Sequence, residues 1–322
     1  MGTLYLDRKG LELRLDGAAI ALYENGERER TLPLALLDRV VIRAETKLGS
    51  GVVGALADAG AGLTVLAGRR GERVAHLLGR PHNDLRARLG QYAVLSDAAA
   101  RSRWSARLVG DKLRAQARFL RHALAGRPDR RKPLTDALGT LENLVAKVDP
   151  GLPVDVLRGF EGAGAAAYFA AYVTLFAESL GFTRRARRPP PDPVNAGLSL
   201  AYVLLHGEAV RAAWGAGLDP LLGFYHAPAF GRESLASDLI EPLRPRVDAW
   251  VWEMFRSRTL RAESFSTDNG ACLLGKAGRA DYYVAYDAFA RPLGRLLRRQ
   301  CRALAKGFVA AAPFVADREE DA

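Results

Sequence analysis

The sequence predicts an α+β protein, with a small β-rich amino-terminal domain over residues 1–83 and a larger all-α domain over residues 84–322. Three observations support this prediction. The chain has 322 residues, which is more than a single hydrophobic core usually supports. Its first part alternates apolar and polar residues with the period of a strand, whereas from about Asp84 the apolar residues recur at helical spacing.

The amino-terminal part contains strand and turn signals. Leu11, Leu13 and Leu15 alternate with polar residues, as in a half-buried strand, and Asp16-Gly17 follows as a turn. Asn25-Gly26 lies between two such runs and is a strong hairpin signal.

Further strands are predicted at 40–42 and 63–66, around a short helix at 52–59 that ends at Gly60. These apolar strands carry little polar chemistry, and they could serve as a dimerisation surface.

Helices are predicted for the rest of the chain. The first contains Leu113, Ala117, Leu120 and Leu124 among basic residues such as Lys112, and it is broken by a Gly-Arg-Pro sequence at 126–128. The other predicted helices cover residues 161–180, 194–214, 235–258 and 282–308.

The segments around these helices are assigned from their composition. The basic, proline-rich segment 184–191 is expected to be an exposed loop, either a solvated linker or a phosphate contact. Asp281 is interpreted as the cap of the last helix, and residues 317–322 as a polar tail.

Charge points to a polyanionic partner. The net charge is +11, and residues 101–132 hold eleven basic side chains against only Asp111 and Asp129. Such a field attracts nucleic acid, and neutralised phosphates release counterions. The alternative is a solvated helix face that keeps the protein soluble.

Composition narrows the class of protein further. Cys272 and Cys301 are too few for a disulfide framework or a thiolate zinc site, and they are interpreted as buried hydrophobic residues. The sequence contains neither an apolar run of membrane-spanning length nor a secretory signal, so no membrane association and a cytoplasmic location are expected.

Glu161 is the first candidate for chemistry. On a helix it shares a face with Ala165, Tyr168, Tyr172 and Phe176, where an apolar side chain would be expected. A buried carboxylate needs a cation, an arginine or a proton to compensate it. The alternative is a partly exposed glutamate in the first helical turn, favoured by the helix dipole.

The other candidates follow along the chain. His226 lies on an irregular segment two residues before Pro228. Asp238 and Glu241 stand three residues apart on one helix face, beside a bend expected at Pro242. The alternative for the two acids is a solvated patch balanced by the arginines at 232, 244 and 246.

Together, Glu161, His226 and Glu241 supply one imidazole and two carboxylates. This set suits a divalent ion such as Mn2+ or Mg2+ better than zinc. In a basic domain, such an ion indicates phosphodiester chemistry.

Four stretches occur in an order that resembles a known family, the CRISPR adaptation integrases called Cas1. They are residues 158–162 (RGFEG), 192–196 (DPVNA), 217–226 (GLDPLLGFYH) and 231–245 (GRESLASDLIEPLRP). The β-rich beginning and helical remainder fit the family's two-domain plan, so the resemblance covers nearly the whole chain.

The resemblance implies that Glu161, His226 and Glu241 bind the catalytic metal. Asp238 would be a supporting acid or an alternative ligand, and Asn195 would brace the site without binding metal. The implied reaction is attack by the 3′-hydroxyl of a short protospacer DNA duplex on a CRISPR repeat, a transesterification. The implied partners are these DNAs, a second copy of the chain through the β domain, and the small protein Cas2.

Two rival functions remain open from the sequence. One is a metal-dependent nuclease that acts on branched or single-stranded DNA without integration. The other is a DNA-binding scaffold whose site is catalytically silent.

Overall fold

The computed structural model describes residues 2–68, 73–79, 82, 84–186 and 189–312 of the chain. Contacts divide the chain into two compact units, Met1–Asn83 and Asp84–Ala322. The described part of the first is rich in strands, and that of the second is mainly helical. The mixed class predicted from the sequence is therefore confirmed in this coarse form.

The first unit contains two four-stranded sheets. One sheet has, in spatial order, β1 (Gly2–Leu6), β5 (Leu37–Ile42), β7 (Gly62–Ala67) and β8 (Arg73–Leu77), and only the β7–β8 pair is antiparallel. The other has β4 (Glu27–Pro33), β3 (Ala19–Glu24), β2 (Leu11–Asp16) and β6 (Thr46–Leu48), in which β2 and β6 are parallel.

The predicted strand and turn signals explain this unit. Leu11 and Leu13 of β2 are buried, and they belong to the same core cluster as Leu56 of the helix α1 (Ser50–Asp58). Asn25 and Gly26 both have positive φ, at 51° and 91°, as the tight turn between β3 and β4 requires. The alternation of apolar and polar residues therefore gives β2 one buried face. The Asn25-Gly26 turn sets which residues of β3 and β4 pair.

The second unit is built from helices. In chain order they are α2 (Arg86–Ser96), α3 (Ala98–Gly126), α4 (Arg131–Lys147), α5 (Val154–Val173), α6 (Pro193–Gly215), α7 (Ser234–Ile240), α8 (Arg244–Arg256) and α9 (Lys276–Ala311). Asp97 caps α3 by accepting hydrogen bonds from the backbone N–H groups of Ala99 and Ala100. Helix α3 contacts α4, α5 and α8, so it lies at the centre of this unit.

The prediction of an all-α second domain was wrong in one place. Strands β9 (Phe265–Asp268) and β10 (Ala271–Leu274) form an antiparallel hairpin. They are joined by Asn269 and Gly270, which have positive φ of 47° and 75°. This is the same Asn-Gly signal that predicted the first hairpin, and it was overlooked here because the strands are short.

One predicted helix cap is also corrected, and the bend predicted at Pro242 is confirmed. Helix α9 begins at Lys276, so Asp281 lies inside it and is not its cap. The helix expected over 235–258 is interrupted by a 3-10 turn, Glu241–Leu243. Pro242 has no N–H to continue the α-helical bonds, which explains the interruption.

The loop before α6 is held by side chains. Asn195, at the start of α6, accepts hydrogen bonds from Ala186 N and Arg185, and its amide donates to the carbonyl of Arg184. These residues therefore do not behave as a solvated linker. Residues 187–188 of the basic segment lie outside the described residues, as does the predicted tail 317–322.

Two composition-based expectations concern the described residues directly. Cys272 and Cys301 are both buried, and neither forms a disulfide, as predicted. Burial raises the pKa of their thiols, to about 11 and about 12, so both stay protonated at neutral pH. In the described ranges, no helix combines the length and apolarity needed to cross a membrane.

Candidate active site

Two of the candidate residues, Glu161 and Glu241, meet at one side chain of the second unit. Helix α3 contributes Lys112, α5 contributes Glu161, and the turn between α7 and α8 contributes Glu241. His226 comes from the loop between α6 and α7, which also packs against α7 through Asp238.

Glu161 and Glu241 share a single cation. The ammonium of Lys112 donates a hydrogen bond to Glu161 Oε1 and another, of 2.6 Å, to Glu241 Oε2. Lys112 is only 6% exposed and Glu241 only 5%. The solvated acidic patch considered from the sequence is therefore wrong, since Asp238 is also buried.

Glu161 lies in the middle of α5, because that helix begins at Val154 and not near residue 161. The alternative of a glutamate stabilised in the first helical turn is therefore wrong. The sequence argument required a compensating cation, and the structure supplies Lys112. In the sequence, this lysine is one of the basic residues on the helix that contains Leu113.

Glu241 is strongly ionised despite its burial. Burial raises the pKa of a carboxyl group, but the charges of Arg244 and Lys112 and the Lys112 hydrogen bond outweigh it. The resulting pKa is about 2. Arg244 Nε lies 2.9 Å from Glu241 Oε1, so each carboxylate oxygen faces a different cation.

Asp238 has a different role from Glu241. Its Oδ2 accepts hydrogen bonds from the backbone N–H groups of Phe224 and Tyr225, at 2.7 and 3.0 Å. Its Oδ1 lies 3.0 Å from the backbone nitrogen of His226 and 2.6 Å from Nδ1 of the same residue. Asp238 thus holds both the loop and the imidazole, and its two oxygens are already engaged.

This contact sets the tautomer of His226. A carboxylate only accepts hydrogen bonds, so His226 Nδ1 must carry the proton. The Nε2 lone pair is then available to a metal or a proton donor, the arrangement seen in carboxylate–histidine–metal groups.

Gly223 allows the loop to pass close to α7. A Cβ at this position would lie 2.7 Å from the carbonyl oxygen of His226 and 2.7 Å from the backbone carbon of Ser234. Backbone atoms cannot move aside easily, so a side chain at this position would displace His226.

Tyr225 borders the same group of charges. Burial raises the pKa of its hydroxyl, and the carboxylates of Glu161 and Glu241 raise it further. The side chain of Arg158 donates to the Tyr225 carbonyl at 3.2 Å. Tyr225 therefore stays protonated beside the acids and can donate a hydrogen bond.

A second buried acid lies one helical segment further on. Tyr168 and Tyr202 donate their hydroxyls to the carboxylate of Asp248, Tyr168 at 2.8 Å, and Tyr172 donates to its backbone carbonyl at 2.9 Å. Burial raises the pKa of Asp248 to about 6, although these hydroxyls and nearby arginines favour its ionised form.

Arg244 connects the two acids. It pairs with Glu241, and its guanidinium carbon lies 4.7 Å from the centre of the Tyr202 ring. Asp248 therefore supports the arginine that balances Glu241.

Sequence reasoning missed Lys112, Tyr225 and Asp248. A signal for Lys112 was available: on α3 the residues 105, 108, 112, 116 and 119 share one face, and all are buried. Asn195 was expected to brace the site. It instead braces the loop before α6 by accepting from Arg185 and donating to Asp192.

The donor set fits a hard divalent cation. Glu161 and Glu241 already direct oxygens at one positive centre, and His226 presents a nitrogen whose tautomer is fixed. No three His, Cys, Asp or Glu side chains among the residues described here lie close enough together to form a complete metal site. In the present arrangement, the lysine ammonium separates the two glutamates.

Comparisons with known proteins match nearly the whole chain. The family model described as "CRISPR associated protein Cas1" matches residues 4–288. A relative from Thermodesulfovibrio yellowstonii, named CRISPR-associated endonuclease Cas1 1, is 37% identical over 316 residues, which cover 95% of this chain and 96% of the relative.

Solved structures share the fold at lower identity. A casposase bound to an integration product superposes with a TM-score of 0.82 at 19% identity, covering 100% of this chain and 94% of the casposase chain. A chain of a Cas6-RT-Cas1–Cas2 complex has a TM-score of 0.80 at 20% identity, covering 96% of this chain and 35% of the longer one.

Proposed function

This chain belongs to the Cas1 family of CRISPR-associated proteins, and on that premise we propose that it is a metal-dependent DNA endonuclease and integrase. It joins the 3′-hydroxyl ends of short DNA duplexes into a CRISPR repeat by transesterification. The observation that carries this proposal is the convergence of Glu161 and Glu241 on one cation beside an oriented His226.

Glu161, His226 and Glu241 are proposed to hold the metal, Mn2+ or Mg2+, and to act as the catalytic residues. When bound, the ion polarises the phosphate and stabilises charge on the leaving oxygen. Glu241 is a better direct ligand than Asp238, because Glu241 shares a cation with Glu161, whereas Asp238 binds the backbone of the 224–226 loop and the His226 ring.

The surrounding residues position these groups. Asp238 holds His226 with Nε2 directed away from the carboxylate, and Arg244 keeps Glu241 ionised. Tyr225, protonated beside the acids, can donate a hydrogen bond to a bound phosphate oxygen.

The proposed partners are DNA, a second copy of the chain and Cas2. Ten of the eleven basic residues within 101–132, all except the buried Lys112, favour binding to the DNA backbone. The first unit, with its two sheets, is proposed as the dimerisation domain. The solved Cas6-RT-Cas1–Cas2 complex supports Cas2 as a partner, since the matching chain there is part of such an assembly.

The test supplies the chain with Cas2, a short DNA duplex, a repeat-containing plasmid and Mn2+. We expect joined products from the parent and from Glu253→Ala, a control at an exposed acid that pairs with a neighbouring arginine. Glu161→Ala, His226→Ala and Glu241→Ala should each lose at least about 100-fold in joining, because each removes a metal ligand. DNA binding, measured by gel shift, should be largely retained.

Different outcomes separate the rival functions. Cut products without joined ones would favour a nuclease on branched or single-stranded DNA. Equal behaviour of the parent and the three variants, or turnover that does not depend on metal, would favour a silent DNA-binding scaffold and overturn the proposal.

A further inference from the structure

Lys112 is the most unusual cation of the second unit. Its ammonium is buried on the central helix α3 and is bound by carboxylates from two other elements, Glu161 of α5 and Glu241 of the turn after α7. Burying a lysine is unfavourable unless its charge is paired. Here the pairing depends entirely on the two residues proposed to hold the metal.

The hydrogen bonds of Lys112 use the oxygens that a metal would need. Lys112 occupies Glu161 Oε1 and Glu241 Oε2, while Arg244 faces the remaining oxygen of Glu241. Mg2+, for example, requires carboxylate oxygens at about 2.0–2.1 Å. An ammonium that remains between the same oxygens would exclude the ion by its size and repel it by its charge.

The ammonium of Lys112 balances the negative charges of Glu161 and Glu241. Without Lys112, the carboxylates of Glu161 and Glu241 would face each other, and Arg244 would pair with Glu241 alone of the two. Two like charges without a shared counter-ion would repel each other and push α5 away from the turn after α7. The ammonium holds both carboxylates in place.

Resting on the proposed function, we propose that Lys112 is the resident counter-cation of this site and that a divalent metal binds by displacing its ammonium. Metal and lysine compete for Glu161 and Glu241. The lysine thereby weakens metal binding and keeps the ligands preorganised when no metal is bound.

The competition predicts the effect of removing the ammonium. In Lys112→Met the apolar stem is retained and the charge is lost, so Mn2+ no longer has to displace a cation. We expect the dissociation constant for Mn2+ to fall by about tenfold or more. The metal-free variant should melt at a lower temperature than the parent, and Mn2+ should raise its melting temperature by more.

The experiment measures metal binding directly, without DNA and without turnover. Mn2+ is titrated into the full chain, and free Mn2+ is followed by electron paramagnetic resonance, with calorimetry in parallel. The variants are Lys112→Met, Lys112→Gln and the control Lys132→Met. Lys132 is an exposed lysine on α4 that pairs with Asp136, so its removal should leave Mn2+ affinity unchanged.

The outcomes distinguish this inference from the proposed function. If the parent binds Mn2+ and both Lys112 variants bind it equally or more weakly, the counter-cation role is wrong while the metal site stands. If neither the parent nor any variant binds Mn2+, both proposals fail. If Lys112→Met does not fold, as judged by circular dichroism, Lys112→Gln decides the question, since it retains a hydrogen-bond donor without the charge.

Discussion

Glu241 and Asp248 are two buried acids of the same segment, seven residues apart, and their surroundings act on them in opposite ways. Glu241 faces Lys112 and Arg244, and its pKa is lowered to about 2. Asp248 receives hydrogen bonds from tyrosine hydroxyls, and burial raises its pKa to about 6.

The difference shows that burial alone does not determine the state of an acid. Both carboxylates lose contact with water, but cations compensate a negative charge far better than neutral hydroxyls do. Glu241 therefore remains ionised over the whole neutral range. The pKa of Asp248 lies close to neutral pH, so its charge changes with pH around pH 6.

The largest expected effect comes from the replacement of Glu241. Glu241→Gln leaves the buried ammonium of Lys112 and the guanidinium of Arg244 with one fewer anion. We expect a loss of about 3–5 kcal/mol in the free energy of unfolding at pH 7, measured by denaturant titration. Glu253→Gln, at an exposed ion pair, should change it by less than about 0.5 kcal/mol. Equal stability of the two variants would mean that the Lys112 contact contributes nothing to the fold.

The second prediction concerns pH. Glu241 has a folded-state pKa of about 2, below its ordinary value of 4.5, so its contribution to stability is complete above pH 4.5 and is lost as the pH falls toward 2. Asp248 has a folded-state pKa of about 6, above its ordinary value of 3.8, so folding favours its protonated form and stability increases as the pH falls from above 6 to 3.8.

Asp248→Asn should remove the increase in stability that Asp248 gives as the pH falls from above 6 to 3.8. The parent should gain on the order of 3 kcal/mol relative to this variant between pH 8 and pH 4. Melting temperatures of both proteins across this range test the prediction, because the contributions of other groups cancel in the difference. Parallel curves would show that Asp248 does not titrate between its two pKa values.

A third and smaller effect concerns the backbone of the loop that carries His226. Gly223→Ala would place a Cβ against the carbonyl oxygen of His226 and the backbone of Ser234. We expect a loss of about 2 kcal/mol from the strain, together with reduced DNA joining because His226 moves. Gly159→Ala is a matched control, since a Cβ at Gly159 meets nothing within 4 Å. A Gly223→Ala protein with full stability and activity would show that the loop adjusts freely.

The smallest effect is expected on the Asp248 side. Tyr172 donates its hydroxyl to the backbone carbonyl of Asp248, a neutral hydrogen bond of 2.9 Å. Tyr172→Phe should therefore cost only about 1 kcal/mol in the free energy of unfolding, with DNA joining unchanged. A loss as large as that of Glu241→Gln would contradict the contrast between the charged and neutral surroundings.

The sequence by itself determined the elements whose signals are local. The alternation at Leu11 and Leu13 predicted β2, and Asn25-Gly26 predicted the hairpin of β3 and β4. Both patterns depend on a few adjacent residues. The ordered stretches around Glu161, His226 and Glu241 also indicated the family, and the kink at Pro242 followed from its missing N–H. A second hairpin at Asn269-Gly270 used the same local signal and was overlooked.

Only the tertiary structure decided which side chains meet. Lys112 lies 49 residues before Glu161 and 129 before Glu241, so no sequence spacing could pair them. Asp238 and Glu241 have the same chemistry and neighbouring positions, yet one binds backbone N–H groups and the other binds cations. A carboxylate's role is set by its partners in space, because desolvation and charge act over a few ångströms whatever the separation along the chain.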